Sequence, residues 1–165
     1  VAAPTPYGDI EVHTAIHPPR TTVLSAILPP AELTYLGHVR DPENGIPADE
    51  KTRLTIGDQV AVVSRNKWAT KTMDRAINIR LGARDYRYLR AQGGAEDLHE
   101  RDRGLLVRYP KSDGKNITVS VFPAADPTDV ALALVLRGID RTGLTLASAA
   151  VFGILRFLFP GDGKA

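Results

Sequence analysis

Hydrophobic and polar residues alternate in two separate stretches of the chain. In residues 75–81 the aliphatic side chains Ile77, Ile79 and Leu81 alternate with Asn78 and Arg80. Residues 116–122 repeat the pattern, with Thr118 among the polar positions. Such alternation is typical of a strand that has one buried face and one polar face. We therefore predict an antiparallel sheet that is covered on one side and open on the other.

Further strands are predicted around these two from runs of β-branched and aromatic residues. They are expected at 32–39, at 52–65 as one long or two short strands, at 84–90 as a continuation of the strand at 75–81, and at 104–110. Polar segments with turn-forming residues separate them. These connections are expected at 41–50, 66–74, 91–103 and 111–115.

Proline dominates the beginning of the chain. Six of the twelve prolines fall within residues 1–31. Because proline cannot donate a hydrogen bond to a central strand ladder, we predict an extended arm here. One short strand is expected within it, at residues 21–27.

After residue 122 the pattern changes to that of helices. Asp126 can cap a helix, Pro127 suits the first helical position, and Asp129 falls in the first turn, where the helix dipole favours an anion. We predict a first helix over 127–139 and a second over 144–158. The fold class is therefore α+β, an antiparallel sheet of hairpins followed by two C-terminal helices.

The chain is expected to form one domain over residues 1–165, with an arm at 1–31, a sheet at 32–122 and helices at 127–158. Both helices are strongly apolar, so they need more cover than one sheet provides. We predict a dimer in which the helices of each chain pack on the partner. The apolar stretch at 144–159 contains Arg156 and is short for a membrane span of about 20 residues, so no membrane partner is expected.

Candidate catalytic and metal-binding groups form no recognisable constellation. The chain has no cysteine, which excludes thiolate catalysis and cysteine-ligated metals. His13 and His17 have a spacing that suits a metal only on a helix, and two prolines follow them. The acidic residues of the 91–103 segment are expected to be solvated in a loop. We predict no catalytic residue, no metal, no cofactor and no enzymatic activity.

Charge is distributed unevenly along the chain. The total of +2 divides into −5 for residues 1–50, +7 for 51–115 and 0 for 116–165. A basic middle segment indicates a surface that binds a polyanion, although the same residues could simply solvate strands and hairpins.

The polar face of the predicted sheet carries residue types that contact phosphates, base edges and sugar hydroxyls. Such a face could present a platform to single-stranded or looped RNA, or it could be an ordinary solvated surface. The candidate RNA-binding residues are Arg65, Asn78, Arg80, Arg108, Lys115 and Thr118.

A family resemblance rests mainly on the segment NITVSVFPAADPTDVALALVLRGIDRTGLTLASAA, residues 116–150. It resembles the last strand and the two helices in coat proteins of single-stranded RNA bacteriophages, the leviviruses. The order QVAVVSRNK, a polar hairpin and then RAINIRL is similar to the paired strands that carry RNA contacts in that family.

The resemblance implies a major coat protein. It implies an interlocked homodimer that assembles a quasi-equivalent (T=3) icosahedral shell around the single-stranded RNA genome, and that can bind an RNA hairpin as a translational repressor. Arg80, Asn78 and Arg65 match RNA-facing or basic positions of the family, and 91–103 matches its variable loop. The expected location is the virion, assembled in the cytoplasm of a bacterial host. The alternative is a small dimeric RNA-binding regulator that forms no shell.

Overall fold

The described residues form one antiparallel sheet of eleven strands in sequence order, followed by a helix. The structure is a computed structural model and describes residues 2–66, 75–111 and 118–144. The strands are β1 (Ala2–Thr5), β2 (Gly8–Ala15), β3 (Arg20–Ser25), β4 (Ala31–Tyr35), β5 (Thr52–Ile56), β6 (Gln59–Arg65), β7 (Ile77–Leu81), β8 (Arg84–Arg90), β9 (Glu96–Glu100), β10 (Gly104–Tyr109) and β11 (Ser120–Val121). The α+β class is therefore confirmed at this level.

Tight hairpins explain the strict neighbour-to-neighbour order. Ile56 pairs with Gln59 across a two-residue turn, and Leu81 pairs with Arg84 across another. Gly57 and Gly82 open these turns at φ values of +56° and +58°. Two-residue hairpin turns require positive φ at this position, which glycine adopts without strain. The turn at Gly82 makes β8 an antiparallel neighbour of β7, so the predicted continuation of one strand through 84–90 is wrong.

The helix α1 spans Pro127–Val135 and continues as a 3-10 turn over Leu136–Gly138. The Asp126 side chain accepts a hydrogen bond from the Asp129 amide, and the Asp129 side chain accepts one from the Asp126 amide. This reciprocal capping box satisfies amide groups that the first helical turn leaves free. The start predicted from the sequence is confirmed. No helix in the described part of the chain is long and apolar enough to cross a membrane.

The sheet curls around this helix. α1 contacts β3, β4 and β5 and also contacts β10, although four strands separate β5 from β10 in the sheet. A large open sheet of this size is expected to twist and curl. Leu132, Val135 and Leu136 are completely buried in the resulting core. We call the side of the sheet that faces α1 the inner face, and the opposite side the outer face.

The packing of the helices on a partner chain stays a prediction, but the first helix is already covered within its own chain. Its apolar surface is covered by the sheet of its own chain, which wraps it from two sides. The pattern predicted an apolar helix correctly, but it could not show that the sheet has enough strands to enclose it. The second predicted helix, at 144–158, lies outside the described residues apart from Leu144, which ends a short 3-10 turn.

The predicted N-terminal arm is instead the beginning of the sheet. β1, β2 and β3 form consecutive antiparallel pairs that continue into β4. The prolines are compatible with this arrangement because Pro4 lies on the edge strand and Pro18 and Pro19 lie in the β2–β3 turn. Proline is excluded only from central ladder positions, so its abundance did not argue against strands as a whole.

The segment predicted as a charged loop at 91–103 contains β9. This strand pairs with β8 on one side and with β10 on the other, so it lies inside the sheet. Asp97 and Glu100 are buried, which corrects the expectation of a solvated acidic loop. Both carboxylates are matched by arginines, and pairing is what allows charged groups to leave water. The strand predicted at 116–122 is described only as Ser120–Val121.

Candidate nucleic-acid interface

The outer face carries a cluster of positive side chains over β7, β8 and the turn after β9. Strand alternation directs Asn78, Arg80 and Arg87 away from the core, while their neighbours Ile77, Ile79 and Tyr86 are buried. We call the arginines Arg80, Arg87 and Arg101, together with Asp85, the outer basic patch. They line a broad depression of about 980 Å³.

The centre of the outer basic patch is one carboxylate between two guanidiniums. Arg80 Nε donates to Asp85 Oδ1 at 2.9 Å, and Arg101 Nη1 lies 3.8 Å from Asp85 Oδ2. The two arginine side chains remain 70% and 77% exposed, and the Asp85 side chain is 40% exposed. The pairs are therefore screened by water and weak.

Arg87 adds a third charge. It lies opposite Asn78 on one side and opposite His99 on the other, with Ser64 beyond Asn78. Among the residues that the structure describes, Arg87 has no ion-pair partner. Its guanidinium is therefore free to bind an anion.

A second depression of about 630 Å³ adjoins the patch across β6. Arg53, Val60 and Val62 line it, and Val62 also borders the first depression. Val60 and Val62 are 63% and 67% exposed. Asp49 and Glu50 line the same depression, so this part of the outer face combines an arginine, two carboxylates and a small apolar surface.

The predicted site residues are only partly brought together. Asn78 and Arg80 lie on the outer face as expected. Arg65 instead follows the buried Val63 on the inner face, where its Nη1 donates to the carbonyl oxygen of Asp140 at 3.3 Å. Burial lowers the pKa of the Arg65 guanidinium below its ordinary value. Arg65 therefore links β6 to the segment after α1, and it also lines one edge of the second depression.

Arg108 lies on the sheet, but two of its nitrogen atoms already donate hydrogen bonds to Asp97. Nε and Nη2 donate to Asp97 Oδ1 and Oδ2 at 2.8 and 2.7 Å in a bidentate pair. These hydrogen bonds raise the pKa of Arg108. Asp97 is buried, so the pair neutralises a carboxylate that could not remain alone inside the sheet. His99 Nε2 lies 3.6 Å from the same carboxylate.

The last two predicted residues lie near the end of the described sheet. Thr118 is exposed just before β11. Lys115 lies outside the described residues. Neither position is shown to join the outer basic patch.

Sequence reasoning missed Arg87, His99 and Arg101. The alternation of residues 84–90 could have found Arg87, because Tyr86 and Tyr88 on either side of it are apolar in character. His99 and Arg101 were assigned to a loop, and no local signal placed His99 opposite Arg87 or Arg101 beside Asp85.

On the inner face, a second group of charges binds the start of α1. Arg103 donates to both carboxylate oxygens of Asp129 at 2.7 and 2.9 Å, and Tyr86 donates to Oδ1 at 2.8 Å. Burial raises the pKa of Tyr86 to about 12. Every charge in this group is matched, so its role is to anchor the helix.

Arg84 completes this anchor by donating to Asp126 Oδ2 at 2.7 Å. Burial alone would raise the pKa of Asp126, but the hydrogen bonds from the Asp129 amide and from Arg84 hold it below its ordinary value. Asp126 therefore stays ionised at the helix N-terminus, where the helix dipole favours an anion.

Comparison of the chain with family models, curated proteins and solved structures finds no match. The functional argument therefore rests on the geometry.

At the C-terminal end of α1 the arginines belong to the segment that follows the helix, and the carboxylate belongs to the sheet. Arg137 donates to Glu96 Oε2 at 2.7 Å, and Arg141 donates to both Glu96 oxygens at 3.0 and 3.1 Å. Arg137 also lies over the Tyr109 ring, 4.9 Å from its centroid. Cations suit a helix C-terminus, so the two ends together fix the helix along its dipole.

The chemistry available on the outer face is anion binding. Guanidinium groups make bidentate hydrogen bonds to phosphate, and serine and asparagine add neutral donors. Within residues 2–66, 75–111 and 118–144, no group of three or more His, Cys, Asp and Glu side chains could hold a metal ion.

Proposed function

We propose that this protein binds single-stranded RNA through its outer face, mainly by contacting phosphates. The observation that supports the proposal is the exposed outer basic patch, with three arginines and one partly exposed aspartate on β7, β8 and the turn after β9. Adjacent strands lie about 4.8 Å apart, so the side chains extend over a surface rather than forming one small pocket. An extended polyanion fits such a surface better than a compact ligand does.

The surface favours backbone contacts over base reading. The exposed large hydrophobic side chains among the described residues are aliphatic, and Tyr86 and Tyr88 are buried. Stacking platforms for single-stranded nucleic acids normally use aromatic rings. Val60 and Val62 can contact bases without distinguishing them. We therefore propose binding with little sequence preference.

Assembly into a phage shell remains a prediction from the resemblance alone. The burial of α1 within its own chain removes one physical reason for an interlocked dimer. The alternative without a shell, an RNA-binding protein, needs only the outer face. The geometry supports this alternative best.

The test is a titration of a fluorescent oligouridylate, read by anisotropy between about 50 and 200 mM salt. Each phosphate contact in a single strand contributes about −0.7 to the slope of log affinity against log salt. Arg87→Ser removes one contact, so we expect weaker binding and a slope shallower by about 0.7. Arg40→Ser is the matched control, because Arg40 is exposed in the β4–β5 connection outside the patch.

The wild-type protein failing to bind the oligouridylate at low salt would contradict the proposal. If Arg87→Ser and Arg40→Ser lose the same RNA affinity, the loss reflects total charge, and this result would contradict binding at the outer basic patch. Binding to anionic vesicles without binding to RNA would assign the patch to a lipid surface instead. Electron microscopy of the same samples separates shells of uniform diameter from particle-free protein.

A further inference from the structure

We propose that Asp85 occupies the position of an RNA phosphate in the free protein and is displaced when RNA binds. This inference rests on the proposed function of the outer basic patch. It identifies the part of that patch which determines how strongly it attracts anions. Asp85 is thus an internal competitor rather than a binding residue.

The geometry around Asp85 resembles that of a bound anion. Its carboxylate faces Arg80 through one oxygen at 2.9 Å and Arg101 through the other at 3.8 Å. The Arg101 amide also donates to the Asp85 carbonyl oxygen at 3.0 Å, which keeps the two residues next to each other. Two guanidiniums that converge on one carboxylate can converge on one phosphate, because both anions accept several hydrogen bonds.

The Asp85 pairs are open to exchange, unlike the pairs that Arg103 and Arg108 make with buried carboxylates. Arg108 holds Asp97, whose side chain is only 3% exposed, and Arg103 holds Asp129, whose side chain is completely buried. Breaking either pair would leave a buried carboxylate without a partner, which is strongly unfavourable. Asp85 is 40% exposed, so water can solvate it once a phosphate has taken its place.

This arrangement selects for ligands that carry several phosphates. A single phosphate would replace one carboxylate with a similar anion and would gain little. A strand that also reaches Arg87, which has no ion-pair partner among the described residues, gains a contact that requires no displacement. The Asp85 carboxylate therefore suppresses binding of isolated anions and favours a polyphosphate chain.

The experiment compares Asp85→Asn with wild type in the oligouridylate titration. We expect affinity to rise roughly threefold to tenfold with the salt slope unchanged, because the same arginines contact RNA in both proteins and the Asp85 pairs no longer have to be broken. Asp41→Asn is the charge-matched control, since Asp41 is exposed and its side chain makes no capping hydrogen bond. Asp85→Ser provides a second variant if Asp85→Asn does not fold.

A double-variant comparison separates local displacement from general charge. In the Arg80→Ser/Arg101→Ser background, Asp85→Asn should no longer raise affinity, because the arginines that it releases are missing. An increase equal to that of Asp41→Asn, or an increase that persists in this background, would overturn the inference. If wild type binds RNA and Asp85→Asn binds no better, only this inference fails. If wild type does not bind RNA, the proposed function itself fails.

Discussion

Asp129 is completely buried, and it accepts hydrogen bonds from three directions. Arg103 and Tyr86 reach it from the sheet, and the Asp126 amide reaches it from its own helix. A buried carboxylate is stable only when it is paired and hydrogen-bonded, and each of these donors meets that need. One side chain therefore joins the helix cap to the sheet.

We predict that Asp129→Asn destabilises the protein by about 3–5 kcal/mol, because it removes one partner of a buried ion pair. Urea unfolding followed by circular dichroism measures the change. Asp58→Asn in the exposed β5–β6 turn is the control and should change stability by less than about 0.5 kcal/mol. If Asp129→Asn lowers the free energy of unfolding no more than the control does, the hydrogen bonds of Asp129 contribute little to stability.

At the residue scale, local roles were predictable and distant partners were not. Asp126 and Asp129 were identified as cap and first-turn residues from their positions next to Pro127. Their partners Arg84 and Arg103 lie 42 and 26 positions away in sequence. No local pattern relates such residues, since only the folded sheet brings them to the helix.

The end of the helix is fitted closely to β3. A Cβ atom added at Gly138 would overlap Thr21 Oγ1 and would lie 2.7 Å from Thr21 Cβ. The Gly138 carbonyl oxygen accepts a hydrogen bond from the Ile46 amide at 2.8 Å, which fixes the backbone on the other side. The glycine therefore allows a helix end and a strand to touch directly.

Gly138→Ala is expected to destabilise the protein by about 1–3 kcal/mol through overpacking. Thermal or urea unfolding measures the loss. Ala124→Gly in the exposed turn before α1 serves as the control. Gly93→Ala is not suitable, because Gly93 has positive φ and an alanine there would itself be strained. Thr21→Ala/Gly138→Ala should recover part of the loss. If Gly138→Ala alone is as stable as the wild type, the close contact between Gly138 and Thr21 is contradicted.

At the element scale, strands with clean alternation were predicted well. β7 lies within the predicted 75–81 strand, and its buried and exposed positions match the pattern. β9 was missed because its buried positions include Asp97 and Glu100, which pattern reasoning assigns to solvent. The first helix was predicted to 139, and the chain is helical or 3-10 to Gly138.

At the scale of the whole molecule, arginines serve two different purposes. Arg84 and Arg103 pair with the carboxylates of the helix on the inner face, while Arg80, Arg87 and Arg101 remain exposed on the outer face. The +7 charge of residues 51–115 therefore overstates the charge available to a ligand. The sequence predicted a basic sheet, but only the structure separates its structural arginines from its accessible ones.

The central claim is that RNA lies on the outer face over β6 to β9. Nuclear magnetic resonance of the isotopically labelled protein during titration with oligouridylate tests it most directly. We predict that the amide signals of Ser64, Asn78 and Arg87, and those around Arg101, shift progressively, while those of the outward residues Glu11 and Leu24 on β2 and β3 stay in place. Shifts confined to β2–β4, or no shifts at low salt, would contradict the account.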